Sequence, residues 1–173
     1  LASLALTAWA SSPLDPPAWT PTITGAAPLL AMVAVAVAGA ITALGDTLFP
    51  AHTLAEGVRE DFSSTASFLV RLRIIHPVLA IGAGGWFAVV AAREYLVRRT
   101  AKLQWLAGGL LVLIPAEIAA GAASILLQAP LPLQLFHLLL ADCIWITLVL
   151  LTAERNTATG TRVPPDAAKM DKR

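Results

Sequence analysis

Charge is what this sequence has least of. Lys, Arg, Asp and Glu make up 13% of its 173 residues, about half of what a water-soluble domain carries. With 57% hydrophobic residues and a mean hydropathy of +0.74, the chain cannot clothe a surface in water, and a soluble globular fold is excluded. Cysteine is nearly missing too. Cys143 stands alone in an apolar stretch, which rules out an intrachain disulfide, a CxxC pair or a cysteine metal cluster. The net charge of +1 says little, because in a membrane protein the placement of Lys and Arg outweighs their sum.

What is present is four long apolar runs, at about 26–44, 68–92, 103–127 and 133–153. Each is near the roughly 20 residues a bilayer demands of a helix that must satisfy its own backbone. The expected class is an all-α integral membrane four-helix bundle over residues 26–153. Only Gln128-Ala-Pro-Leu-Pro132 separates the third and fourth runs, so those helices form an antiparallel hairpin. Arg93, Arg98, Arg99 and Lys102 cluster between the second and third runs, and the tail after Ala153 is basic. Both are assigned to the cytoplasm by the positive-inside rule. The acidic loop with Asp46, Glu56, Glu60 and Asp61 and the uncharged 128–132 turn then face outward. Within that outer loop, Leu54 to Phe62 mixes apolar and charged positions in the manner of a short interfacial helix.

The ends read differently. Residues 1–10 are apolar but reach only about 15 Å at 1.5 Å per residue, half of a hydrocarbon core. Ala8-Trp9-Ala10 resembles a signal-peptidase site without the basic region that should precede it. The expectation is a remnant of a preceding transmembrane helix, in a chain that begins at Leu1. Residues 11–25 hold four prolines and read as a cytoplasmic linker, although Lys and Arg are missing from it. Residues 154–173 read as a disordered cytoplasmic tail.

Ionisable residues inside spans are expensive, and each needs a reason. Four stand out: His76, Glu117, His137 and Asp142. His76 and His137 each lie roughly 5–12 Å inside the outer end of their helices, counting about 1.5 Å per residue. Two imidazoles at one depth on antiparallel helices can supply both axial ligands of a heme iron. Gly82, Gly84, Gly85 and Gly121, with Ala122, Ala123 and Ser124, offer thin helix faces beside it. Arg71 and Arg73 precede His76, with Arg73 on its face at the i, i+3 spacing, and guanidinium groups suit heme propionates. The plainer readings stay open: a lone intramembrane histidine that hydrogen-bonds between helices, arginines that snorkel to headgroups, and neutral acids at Glu117 and Asp142. His52 is expected in solvent, Trp86, Trp105 and Trp145 as span or interface aromatics, and Pro115 as a kink near Glu117.

The stretches Gly45-Asp-Thr-Leu-Phe-Pro50, Leu54-Ala-Glu-Gly57, Asp61-Phe-Ser, Phe68-Leu-Val-Arg-Leu-Arg-Ile-Ile-His-Pro77 and Leu133-Gln-Leu-Phe-His-Leu-Leu-Leu-Ala-Asp142 resemble the C-terminal half of bacterial heme A synthase. The resemblance covers roughly 26–153. It implies half of an eight-span, pseudo-duplicated protein, whose N-terminal half takes heme O and oxidises its C8 methyl to the formyl of heme A. The C-terminal half would hold a heme b cofactor, with His76 and His137 as metal ligands and Arg71 and Arg73 beside its propionates. The family's proposed catalytic glutamate belongs to the N-terminal half and has no counterpart here, so no catalytic residue is assigned. Glu117 stands where relatives carry glutamine. The implied location is the bacterial plasma membrane, multi-pass, with a cytoplasmic C-terminus. The implied partners are the lipid bilayer and heme O through the N-terminal half, with homo-oligomerisation left open and no nucleic acid. Two other classes use the same residues: a bis-histidine cytochrome b type electron-transfer subunit without synthase activity, and a heme-free membrane transporter working through Glu117 and Asp142.

Overall fold

The computed structural model describes residues 23–97 and 100–160. The expected helix remnant at 1–10, most of the 11–25 linker and the end of the tail lie outside the described residues. Within them the chain folds as α1 (Ile23–Leu48), α2 (Leu54–Asp61), α3 (Phe68–Leu72), α4 (Ile75–Val97), α5 (Ala101–Leu126) and α6 (Leu131–Gly160). The described residues contain no strand. Four segments are long and apolar enough to cross a membrane: Ala26–Leu48, Phe68–Val97, Ala101–Leu126 and Leu131–Arg155. The shortest has 23 residues, about 35 Å of helix against a core of about 30 Å. The protein is an all-α, multi-pass membrane bundle in which α1, α4, α5 and α6 are the long members.

Two boundaries differ from the sequence reading for physical reasons. The second span is not one helix, because α3 stops at Leu72 and α4 restarts at Ile75. Pro77 has no N–H for the carbonyl of Arg73, and its ring crowds that carbonyl, so the ladder breaks one turn upstream. The spans also run further at the opposite end. Glu94, expected in a loop, is a buried residue of α4 whose carboxylate lies 3.0 Å from Arg155 Nε of α6. This pairing ties α4 to α6 beyond their expected ends, and α6 continues to Gly160, so the start of the expected tail is helical.

The buried core is Met32 of α1, Phe87 and Ala91 of α4, Leu103, Ala107, Leu110 and Ile114 of α5, and Ile144, Leu148 and Leu151 of α6. The α5 members recur at i, i+4, i+7 and i+11, one face of a 3.6-residue helix. Gly84 lets α4 approach α5: a Cβ there would sit 3.3 Å from Ile114 Cγ2. Lipid tails are as apolar as these side chains, so contact of this kind, rather than escape from water, holds the helices together.

The other end is tied by polar devices. α2 begins with a cap in which Thr53 Oγ1 accepts from Glu56 N at 3.1 Å, while Glu56 Oε2 accepts from His52 N at 2.9 Å. Its apolar residues Leu54, Val58 and Phe62 stay exposed, as an interfacial helix requires. The α5–α6 turn places Gln128 (φ 56°) and Ala129 (φ 53°) in the left-handed region. There Ala129 N donates to Ser124 O at 2.6 Å, satisfying a carbonyl at the end of α5. The amide of Gln128 reaches across to donate to His52 O at 3.0 Å. The 49–67 segment therefore reaches from α1 to the α5–α6 turn.

Candidate heme site

His76 opens α4 directly after the break, and its ring rests on α1. A Cβ added to Gly39 would stand 3.0 Å from its Cε1, so glycine is what admits an imidazole there. Its Nδ1 is 3.2 Å from Val35 O. His137 rests on α5 in the same way: a Cβ on Gly121 would stand 3.1 Å from its Cε1. Its Nδ1 lies 3.1 Å from Glu117 Oε2, a close pair whose line is bent relative to the N–H bond, since neither atom has an aligned hydrogen-bond partner.

The two arrangements share one register. Val35 is four residues before Gly39, and Glu117 is four before Gly121, and residues i and i+4 share a helix face. Each histidine thus sits on a glycine with its Nδ1 turned to the residue one helical turn away. These contacts engage Nδ1 in both rings, so Nε2 is the nitrogen of each that could serve as a ligand. Both histidines are half-buried, at the end of the bundle that carries α2.

Arg71 and Arg73 are not equivalent. Arg71 is exposed. Arg73 is 10% exposed, with Nε 3.2 Å from Asp46 Oδ1 and 3.9 Å from Asp61 Oδ1, and its Nη2 donates to Phe49 O at 2.9 Å. It joins the ends of α1 and α2 to the start of α4. Gly45 allows this approach, since a Cβ there would be 3.3 Å from Leu69 O. Burial raises the Asp61 pKa above its ordinary value, with Arg73 pulling it back only in part.

Sequence reasoning missed the roles of Gly39, Val35, Asp46 and Asp61. A signal for one was present: the repeated run Ala38-Gly39-Ala40 and Ala120-Gly121-Ala122 pointed to two equivalent close approaches. Asp142 is half-buried and five residues past His137, so it does not share that histidine's helix face. Pro115 is accommodated within an unbroken α5. Trp86 and Trp105 are exposed on the outside of the bundle, as span aromatics are. Among the described residues, no group of three or more His, Cys, Asp or Glu could hold a bare metal ion. A heme asks less of the protein, which supplies axial ligands alone.

Comparison with known proteins follows the same direction. A family model described as cytochrome oxidase assembly protein matches residues 1–149. The protoheme IX farnesyltransferases of two strains of Thermus thermophilus are each 37% identical over 123 residues, which is 71% of this chain and 20% of theirs. The chain thus spans about a fifth of the length of these curated relatives. No solved structure matches. Residues 1–149, including both histidines, place this chain in the heme A synthase family of cytochrome oxidase assembly proteins.

Proposed function

We propose that this chain is the heme b-binding, electron-transfer unit of a heme A synthase, the enzyme that oxidises the C8 methyl of heme O to the formyl of heme A. One observation carries the reading: two imidazoles on different helices, each seated on a glycine with Nδ1 engaged and Nε2 left to bind. That is the donor set of a low-spin, bis-histidine heme. The names of the Thermus relatives mention protoheme IX, in keeping with a heme-handling lineage.

A bound heme b supplies reversible one-electron chemistry. The chain's part is to hold and insulate it. His76 and His137 would hold the heme iron, with their rings fixed by the seats at Gly39 and Gly121. Arg71, exposed at the same end, would meet its propionates. Arg73 contributes the N–H donors left beyond those already engaged, out of the five a guanidinium has. The heme O substrate and the oxidation itself belong with the remaining part of the enzyme. The basic segment at Arg93 to Lys102 faces the cytoplasm of a bacterial cell, with the C-terminus on that side and the histidines near the outer surface.

The test is spectroscopic. Protein purified in detergent and supplied with hemin is expected to show a Soret band and the sharp reduced bands of a six-coordinate low-spin heme. His76→Ala and His137→Ala should each abolish the low-spin form. A protein that takes up no heme, or a low-spin spectrum that survives the double substitution, would remove the proposal.

A further inference from the structure

We infer that Glu117 is a positioning residue for His137 and makes the two axial ligands electronically unequal. The inference rests on the heme reading above. It comes from the shared register of the two helix pairs. On the α1–α4 side, His76 Nδ1 faces a neutral backbone carbonyl, Val35 O, at 3.2 Å. On the α5–α6 side, the corresponding place is taken by a carboxylate, Glu117 Oε2, 3.1 Å from His137 Nδ1.

A carboxylate is costly at this depth in a membrane and needs a compensating partner. The side chain of Glu117 is only 17% exposed, and the imidazole of His137 is the partner beside it.

From 3.1 Å, the negative carboxylate favours the proton on Nδ1, draws the ring toward α5 and makes Nε2 a stronger electron donor. A backbone carbonyl does the first two and contributes less to the third. The α6 ligand would therefore favour ferric iron more than the α4 ligand does, setting a lower midpoint potential than two carbonyl-backed histidines would give.

The experiment uses the full chain in detergent, loaded with hemin, and reads midpoint potential and the electron paramagnetic resonance of the ferric form. Glu117→Gln is expected to keep bis-histidine binding, raise the potential and weaken hemin affinity by about tenfold, the lower end of what loss of a ligand's outer partner costs. Glu117→Asp should restore part of the shift. A second pair leaves Glu117 intact, in case its substitution unfolds the chain. His76→Gly and His137→Gly, each rescued with free imidazole, retain the α6 and the α4 ligand respectively. The His137→Gly form should have the higher potential. Equal potentials in that pair, or a Glu117→Gln protein with wild-type potential and resonance, would overturn the inference while leaving heme binding in place. Loss of hemin binding from the wild-type chain would instead sink the heme reading itself.

Discussion

The two ends of the bundle are built on different principles. At the end away from α2, Leu103, Leu110, Leu148 and Leu151 are almost wholly buried, and the helices interlock. At the end with α2, residues 131–143 of α6 and 75–83 of α4 include none that is fully buried. That end is held by the contacts of Arg73 with Asp46, Asp61 and Phe49, and by Gln128 reaching His52. Close packing and the histidine-bearing end are thus separated along the helix axes. One end supplies most of the interhelical contact, and the other keeps two histidines accessible between helices.

The largest expected effect tests the packed end. Leu110→Ala should destabilise the bundle by about 2–5 kcal/mol, the range for a buried leucine, read as a lower unfolding temperature in detergent. Folded Leu110→Ala protein should still bind hemin as wild type does, and a lost low-spin spectrum would break the separation of roles. Next comes Gly121→Val, which pushes a side chain into the ring of His137. It should cost about 1–3 kcal/mol by overpacking and weaken hemin binding far more than Leu110→Ala, measured by hemin titration. Ala129→Gly relieves a left-handed residue at φ 53° and should stabilise the α5–α6 turn by about 1 kcal/mol, seen as slower amide exchange there with an unchanged heme spectrum.

The smallest effect is one of pH. Asp61 has its folded pKa raised from 3.8, by burial above all, so the folded state takes up this proton before the unfolded state does. Stability from this group should increase as pH falls through the raised value and should level off below 3.8. Asp61→Asn should reduce the acid-range slope of unfolding temperatures, the remainder coming from other groups, Asp46 beside the same Arg73 among them. A slope of the opposite sign would mean that the attraction of Arg73 outweighs burial.

Much of this is legible without the fold. Four spans and the hairpin at 128–132 both follow from hydrophobic run lengths and a rise of about 1.5 Å per residue, which are local quantities. The break before His76 could have been read from Pro77, whose effect falls four residues upstream. The partners of Arg73 are not legible. Asp46 and Asp61 stand 27 and 12 residues before it, and count only as loop acidity until α2 folds back beside α3. Glu117 stands out in the sequence as an expensive residue, but its contact with His137 spans two helices, and no spacing along one helix reveals that.

By itself the sequence determined the solvent and the number of crossings, because hydrophobicity and helix rise act on each segment independently. Only the tertiary structure decided which helix each imidazole leans on, which nitrogen it commits, and that a backbone carbonyl backs one ring and a carboxylate the other. Those outcomes depend on how neighbouring helices are rotated about their axes, and that rotation is set by side-chain contact between them.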